Sequence, residues 1–240
     1  MEKKIHQDNE YLHNKISWNN ARSIWNRYAA KYWWGDPLDV RFFLCKELNS
    51  VKNKRILDVG CNVGIILNSA DNTNSKNGFD LNKDTIRIAK MINAKENLDA
   101  KFYVEDVFLS KFKKNSFDIL ILANVMPSFD YGKDKYTFED CRSLINKCSA
   151  YLKKGGVLYL TSPNGDNPRY RNNPKPRESQ LISLLKKQYV FKMKYWNPFP
   201  IYIGHLMRFV PGWFSLIEHL MKIDYGQDRC LSFYVKGVKK

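Results

Sequence analysis

The chain has 240 residues, 44% of them hydrophobic and 27% charged. This length suits one α/β domain that buries roughly 70–75% of its unfolded surface, and it leaves no room for a second full domain. Five cysteines lie scattered without the paired spacing of a zinc site, and no stretch is apolar enough for a signal peptide or a membrane span. We therefore expect a protein of a reducing compartment, the cytoplasm, without structural zinc.

Positive charge is concentrated near the end of the chain. The net charge is +16, and residues 151–240 hold 16 basic and 5 acidic side chains. Such a field attracts nucleic acid, an anionic membrane surface or an acidic substrate, but a lysine-rich surface also serves solubility alone. Charge by itself therefore leaves the partner open.

The first 50 residues are predicted to form a helical leader or lid. In residues 18–34, WNNARSIWNRYAAKYWW, apolar side chains recur at spacings of three and four, which predicts an amphipathic helix with an aromatic face. Gly35, Asp36 and Pro37 end this helix, and a second helix is expected over residues 39–48. The main domain then covers residues 51–240.

The stretch RILDVGCNVGIIL, residues 55–67, organises that domain. Apolar residues surround Asp58 in a buried strand, Gly60, Asn62 and Gly64 make a tight loop, and an apolar helix begins after it. Glycine and asparagine best tolerate the left-handed backbone conformation, and glycine lets a ligand approach closely. The pattern predicts a ligand at the carboxyl edge of a parallel sheet.

We predict that this ligand is cationic. A dinucleotide site needs the spacing G-x-G-x-x-G around a pyrophosphate, whereas this loop has Gly60-x-x-x-Gly64 preceded by the acid Asp58. A carboxylate there disfavours a pyrophosphate and favours a cation. S-adenosylmethionine carries an ammonium and a sulfonium, and its ribose needs an acceptor further along the chain. Asp80, twenty residues after Gly60 at the end of the second predicted strand, suits the ribose hydroxyls, although it could instead cap the next helix.

Two further strands are predicted before the middle of the chain. The third alternates, with Phe102 and Val104 on one face, and ends at Glu105-Asp106. The fourth, FDILILA, is apolar throughout, as a strand buried on both faces requires, and Asn124 follows it.

These motifs resemble those of the class I S-adenosylmethionine-dependent methyltransferases, with Asn62 in place of a middle glycine. The resemblance implies a Rossmann-like α/β fold: a seven-stranded sheet in the order 3-2-1-4-5-7-6, mostly parallel with an antiparallel last strand, and helices on both faces. In that family an acid at the position of Asp106 accepts a bond from the adenine amino group, and the next amide meets a ring nitrogen. The resemblance implies S-adenosylmethionine as cofactor, bound by Asp58, Gly60, Cys61, Asn62, Gly64, Asp80, Leu81, Asp106, Val107 and Asn124.

The leader carries a second resemblance. Residues 33–36, WWGD, followed by Arg41, resemble the leader of methyltransferases that act on quinone precursors. That resemblance implies that Arg41 contacts the methionine carboxylate, a task that suits a guanidinium fork. Alternatively, the aromatic residues cover the edge of the sheet and Arg41 lies on the surface.

The last third is predicted to complete the sheet. We expect a helix over residues 137–153 with Cys141 and Cys148 in the core, a strand over 157–162, a helix over 179–187 and a strand over 190–196. An antiparallel strand closes the chain. Before it, the apolar and aromatic insertion at residues 197–228 suits a lid over a greasy substrate, a helix in a membrane interface, or extra core.

The expected activity is methyl transfer to an oxygen or nitrogen of a small-molecule or lipid-like acceptor. The protein would align the reactants and exclude water. A hydroxyl acceptor needs a base, and the family often has an acid and a histidine where this chain has Asn124 and Ser128. His205 and His219 are base candidates by residue type, and each could equally be an ordinary helix histidine. No metal-ligand cluster is present in the sequence, so no metal is expected.

Two other functions remain open at this point. RNA methylation would use the basic C-terminal third with its aromatic residues, Tyr170, Tyr189, Phe191, Tyr195 and Trp196. Against it, no N-P-P-Y follows the fourth strand and no Pro-Cys pair is present. The third hypothesis is a non-catalytic binding module, because Asn62, Asn124 and Ser128 depart from common patterns. Peripheral contact with a membrane surface is a further expectation.

Overall fold

The computed structural model describes Ile24, Tyr28 and residues 40–126, 137–168, 175–196 and 230–240. Its helices are α1 Val40–Asn49, α2 Ile65–Ser69, α3 Lys83–Lys95, α4 Phe138–Tyr151 and α5 Glu178–Leu185. Its strands are β1 Arg55–Val59, β2 Ser75–Asp80, β3 Lys101–Val104, β4 Phe117–Ala123, β5 Leu152–Pro163, β6 Tyr189–Trp196 and β7 Ser232–Lys239.

The strands form one seven-stranded sheet in the order β3-β2-β1-β4-β5-β7-β6. Strands β1 to β5 pair in parallel, and β7 lies antiparallel between β5 and β6. Both the predicted order and the antiparallel last strand are confirmed. In this order β1 and β4 are neighbours at the centre, so the chain reverses its direction of winding between them, which opens a crevice at their carboxyl ends.

The sheet separates two cores. On one face Ile56 of β1 and Ile119 of β4 pack beneath α1, α2 and α3, and on the other Leu57 and Leu120 pack beneath α4 and α5. All of these apolar side chains are buried because a parallel sheet is covered on both faces. Cys141 and Cys148 are core residues, as predicted.

Local capping explains where two long helices begin. The side chain of Asn82 accepts hydrogen bonds from the amides of Asp84 and Thr85 at the start of α3. At the start of α4, Thr137 and Asp140 form a reciprocal capping box. These caps satisfy amides that have no partner within their own helix.

Three sequence predictions need correction. Strand β5 begins at Leu152 rather than at residue 157, because it pairs with Phe117 across an irregular register before the regular ladder starts. Val104 is 51% exposed while Phe102 is buried, and both belong to β3, the edge strand of the sheet. Tyr189 is buried, and Phe191 and Tyr195 pack against the core, so these aromatic rings are not a surface for stacking bases.

Several predicted features lie outside the described residues. They are the leader apart from Ile24, Tyr28 and residues from 40 onward, the insertion at 197–228, and both candidate bases, His205 and His219. Ile24 and Tyr28 are buried, and the Tyr28 hydroxyl donates to Glu96 Oε1 at 2.5 Å. Within the part of the chain that is described, no helix is long and apolar enough to cross a membrane.

Candidate functional site

A loop with three left-handed residues connects β1 to α2. The φ angles of Gly60, Asn62 and Gly64 are 68°, 49° and 73°. The amides of Gly60 and Cys61 both donate to the carbonyl of Phe79, at 2.9 and 3.0 Å, which ties the loop to β2. A side chain at Gly60 would run into Val125, which follows β4. The loop therefore holds its shape only with glycine at this position.

Asp58 is the most unusual side chain near this loop. It is fully buried, and neither carboxylate oxygen has a hydrogen-bond partner among the described residues. Burial raises the pKa of Asp58 well above its ordinary value, and the nearby charge of Asp80 raises it further. Buried polar atoms normally have partners, so this carboxyl group is arranged for one that the described residues do not supply.

Asp80 ends β2 beside the loop and holds it in place. Its Oδ2 accepts a hydrogen bond from the Asn62 amide and its Oδ1 accepts one from the Asn82 amide, both at 2.9 Å. Its side chain is partly exposed. Asn82, not Asp80, supplies the side-chain cap of α3. Each oxygen of Asp80 keeps one lone pair for a ligand at the open side of the loop.

Cys61 lies near both acids, Asp58 and Asp80. Its thiol is buried, and burial raises its pKa well above the ordinary value, with the charges of Asp58 and Asp80 adding to the effect. A side chain at Gly78, opposite Asp58 in β2, would press against Cys61 and Leu67. Cys61 is therefore an inert packing residue that needs glycine beside it.

Apolar side chains line the edge beyond Asp80. Leu81 is 69% exposed and Phe108 is 50% exposed, while Val107 is partly buried against the core. Asp106 shapes this segment, because its Oδ1 accepts from the Phe108 amide at 2.8 Å. Exposed apolar groups next to a carboxylate form a surface that suits a flat ring attached to a sugar.

Asn124 follows β4 on the opposite side of the loop. Its φ angle is 58°, its amide donates to the Thr161 carbonyl at 3.0 Å, and its Oδ1 accepts from the Thr161 hydroxyl at 3.0 Å. The next residue, Val125, lies against Gly60. Asn124 is thus placed across the crevice from Asp80.

The structure brings most predicted site residues together at the carboxyl edge of β1 to β4. They are Asp58, Gly60, Cys61, Asn62, Gly64, Asp80, Leu81, Asp106, Val107 and Asn124. Arg41 lies in the first turn of α1, a helix that packs against α2. Sequence reasoning placed Val125 at the end of the fourth strand but missed its contact with Gly60, and it missed Thr161, because both depend on contacts between distant strands. No group of metal-binding side chains is found in the described ranges.

Comparison with known proteins agrees with this geometry. The profile of the family described as a methyltransferase domain matches residues 50–214. The chain is 28% identical over 141 residues to a putative protein N5-glutamine methyltransferase of Methanocaldococcus jannaschii, covering 52% of this chain and 70% of that protein. It is 23% identical over 174 residues to a ubiquinone biosynthesis O-methyltransferase of Coxiella burnetii, covering 68% of this chain and 66% of that protein.

A solved structure shows the same fold. The N-methyltransferase NodS from Bradyrhizobium japonicum, in complex with S-adenosyl-L-homocysteine, superposes with a TM-score of 0.60 at 13% identity. The superposition covers 92% of this chain and 98% of NodS. At this identity the likeness concerns the fold alone. The chain spans about two thirds or less of the ubiquinone-pathway relatives that it matches.

Proposed function

This chain belongs to the S-adenosylmethionine-dependent methyltransferases, and we propose that it transfers the methyl group to a small-molecule or lipid-like acceptor bound over the carboxyl edge of its sheet. The observation that carries the proposal is Asp58, a buried carboxyl group whose two oxygens have no partner in the described part of the chain. It lies in β1, directly before the loop that contains Gly60 and Gly64.

The residues at the loop fit the methionine part of the cofactor. Its ammonium group would give the buried Asp58 carboxylate an opposite charge that the described residues do not provide, and would favour ionisation of that group. Gly60 and Gly64 would let the backbone approach the ligand closely. Arg41, in the first turn of α1, would meet the methionine carboxylate.

The residues beyond the loop fit the adenosine part. Asp80 would accept hydrogen bonds from the ribose hydroxyls with the lone pairs that its two backbone contacts leave free. Leu81 would cover one face of the adenine ring, and Asp106 with the amide of Val107 would meet its polar edge. The exposed apolar surface of Leu81 supports this assignment, since a flat ring would remove it from water.

When bound, S-adenosylmethionine supplies an electrophilic methyl group on a sulfonium. The chain contributes position and environment. Asp58 and Asp80 would hold the methionine ammonium and the ribose of the ligand, and Val125 lies against Gly60 so that the crevice keeps a fixed shape. A fixed alignment and exclusion of water account for most of the rate that such a displacement needs from a protein.

A small acceptor is better supported than RNA. Tyr189 is buried with its hydroxyl hydrogen-bonded to Ser149, and the Tyr195 hydroxyl donates to Glu178, so neither ring is available to stack on a base. The two relatives described above are named for a ubiquinone-pathway oxygen acceptor and for a protein glutamine. The basic field of the last third would favour an acceptor that carries negative charge.

Calorimetric titration of S-adenosylmethionine tests the proposal. We expect the wild-type chain to bind, and Asp80→Asn to bind about 10- to 100-fold more weakly, because the variant loses an anionic acceptor for the ribose. Asp84→Asn is the matched control. Asp84 lies four residues further on in α3 and its side chain is 80% exposed, so this variant should bind as the wild type does.

Two results would contradict the proposed site. An Asp80→Asn protein that binds with wild-type affinity would remove the ribose assignment. A folded wild-type protein that binds neither S-adenosylmethionine nor S-adenosylhomocysteine would remove the site altogether. Circular dichroism of each variant keeps loss of binding separate from loss of folding.

A further inference from the structure

We propose that Asn124 binds the reacting atom of the acceptor through its amide N–H groups, and that this atom is an oxygen that carries negative charge when it reacts. Phenols, enols and carboxylic acids belong to this class. The inference rests on the proposed methyl transfer and narrows its acceptor from oxygen or nitrogen to oxygen. It also moves Asn124 from the cofactor to the acceptor.

The position of Asn124 places it at the reacting end of the crevice. It directly precedes Val125, the residue that lies against Gly60 of the cofactor loop. Asp80 and Leu81, which fit the adenosine, lie on the other side of β1 in the sheet order. The methyl group would therefore lie between these two sides, and a side chain that follows β4 faces it rather than the adenine.

Thr161 fixes which end of the Asn124 amide points outward. The Thr161 hydroxyl is fully buried, and Asn124 Oδ1, at 3.0 Å, is its sole hydrogen-bond partner among the residues described. If the amide were turned around, the hydroxyl proton would be buried without an acceptor, which costs about 1–3 kcal/mol. The oxygen of Asn124 therefore faces β5, and its NH₂ group is the half left for a ligand.

An outward NH₂ group selects for oxygen. Two N–H donors stabilise an oxyanion and lower the pKa of a bound hydroxyl, because hydrogen bonds to the charged form favour that form. An amine or a glutamine amide needs the opposite arrangement, since its own N–H groups seek an acceptor. The Oδ1 of Asn124, which could accept such bonds, faces β5 and already accepts a hydrogen bond from the Thr161 hydroxyl.

Methyl transfer from the sulfonium to the acceptor oxygen needs no further reactant. The acceptor hydroxyl gives its proton to solvent water as it binds, before water is excluded from the site, and the Asn124 donors favour the ionised form. A lone pair of the oxygen then forms the new O–C bond while the S–C bond breaks. The sulfur keeps that bonding pair and becomes a neutral thioether.

Paired probes that differ only in the acceptor atom test the inference. Catechol and ortho-phenylenediamine share a ring frame and offer oxygen and nitrogen, and a glutamine-containing peptide offers an amide. Transfer of a labelled methyl group from S-adenosylmethionine is measured by mass spectrometry of each product. Binding of 4-nitrophenolate to the S-adenosylhomocysteine complex, followed by its absorbance, reports whether the site lowers the pKa of a phenol even without turnover.

Three variants assign the effect to Asn124 and Thr161. Asn124→Asp replaces donors by an acceptor and should lower kcat/KM for catechol about 100-fold, while the affinity for S-adenosylmethionine stays within about 3-fold. Thr161→Val should lower kcat/KM for catechol about 10-fold and move the acid limb of its pH profile to higher pH. Thr161→Ser keeps the hydroxyl and should therefore retain the wild-type kcat/KM and pH profile. Asn97→Asp is the control, because Asn97 is also an exposed asparagine with positive φ, 52°.

The outcomes separate this inference from the proposed function. O-methylated catechol, or a lowered pKa of bound 4-nitrophenol that Asn124→Asp abolishes, supports it. Methylation of nitrogen alone overturns it, and so does a protein that binds S-adenosylmethionine but neither methylates catechol nor binds the phenolate. Loss of S-adenosylmethionine binding in Asn124→Asp also overturns it. Absence of cofactor binding in the wild type defeats the proposed function instead.

Discussion

Carboxyl groups at the two edges of the sheet have opposite surroundings: one has hydrogen-bond partners among the described residues and the other has none. At the amino edge, Asp118 of β4 accepts hydrogen bonds from the Arg55 amide at 2.9 Å and from Lys153 at 2.6 Å. Partial burial pushes the pKa of Asp118 upward, but the bonds from Lys153 and Arg55 outweigh it and leave this pKa below the ordinary value. At the carboxyl edge, Asp58 is buried without a partner in the described chain and its pKa is raised.

We infer that the difference separates an edge that stabilises the fold from the edge where the ligand is proposed to bind. A carboxylate whose charge is compensated within the fold contributes to stability, and one that is left uncompensated costs stability until a ligand arrives. Glycines at the two edges also differ in the space around them. Gly155 at the amino edge has open space around it, whereas Gly60 at the carboxyl edge lies against Val125.

The largest effect is expected from alanine at the two glycines. Both have positive φ, 68° at Gly60 and 74° at Gly155, so each substitution costs about 1–2 kcal/mol of backbone strain. Gly60→Ala adds a clash with Val125 that costs about 1–3 kcal/mol more. Thermal denaturation should therefore show a lower Tm for Gly60→Ala than for Gly155→Ala.

A double variant checks the cause of that difference. Gly60→Ala with Val125→Ala should recover about 1 kcal/mol relative to the sum of the single changes, because the methyl group then has room. Strictly additive losses would show that Val125 does not close on the loop as the structure has it.

The next effect is a gain of stability in Asp58→Asn. The unfolded chain ionises Asp58 near the ordinary pKa of 3.8, but the folded chain keeps it protonated to a higher pH. Stability therefore falls as the pH rises above the ordinary value, until the raised pKa is passed. At neutral pH, Asp58→Asn should gain about 1–3 kcal/mol, or roughly 2–4 °C in Tm per kcal/mol, and lose S-adenosylmethionine binding.

The pH dependence of this stability gain tests whether ionisation of Asp58 causes it. Below about pH 4 the gain should vanish, since Asp58 is then neutral in both states. A variant that is less stable than the wild type at neutral pH would mean that Asp58 already has a partner within the folded chain.

Binding of S-adenosylmethionine should release a proton from Asp58, a smaller effect. The free protein holds this carboxyl group protonated to a higher pH than usual, and the cationic ligand favours its ionised form. Affinity should fall as the pH drops below the raised pKa. Titrations in two buffers with different ionisation enthalpies, repeated across the pH range above about 4, count the protons released. A count of zero at every pH would contradict the pairing of Asp58 with the ammonium.

The sequence was sufficient to predict the framework of the sheet and the set of residues that meet at its carboxyl edge. The apolar run of β4 and the acid-glycine pattern around Asp58 are local signals, and the resemblance supplied the strand order. The position of Asp80 followed from its separation of twenty residues from Gly60 and from its place as the last residue of the second strand. Such features follow from neighbours in the chain.

Features that depend on contacts between distant strands could not be predicted. The burial of Tyr189 follows from the packing of β6 beside α4, and the exposure of Val104 from the place of β3 at the sheet edge. The bond between Thr161 and Asn124 needs the register of β4 and β5. A local pattern states which side chains a strand carries, but not which of them another element will cover.

The smallest effect is expected at the amino edge. Asp118→Asn keeps an oxygen for the Arg55 amide but loses its ion pair with Lys153, whose side chain is 43% exposed. An exposed ion pair contributes about 0.2–1 kcal/mol, so Tm should fall by only a few degrees and S-adenosylmethionine affinity should stay unchanged. The loss should appear above the folded pKa of Asp118 and disappear below it, because the protonated acid has no charge for Lys153 to compensate. Opposite signs for Asp118→Asn and Asp58→Asn at neutral pH would establish the division between the edges; a loss of stability in both would show that Asp58, too, stabilises the fold.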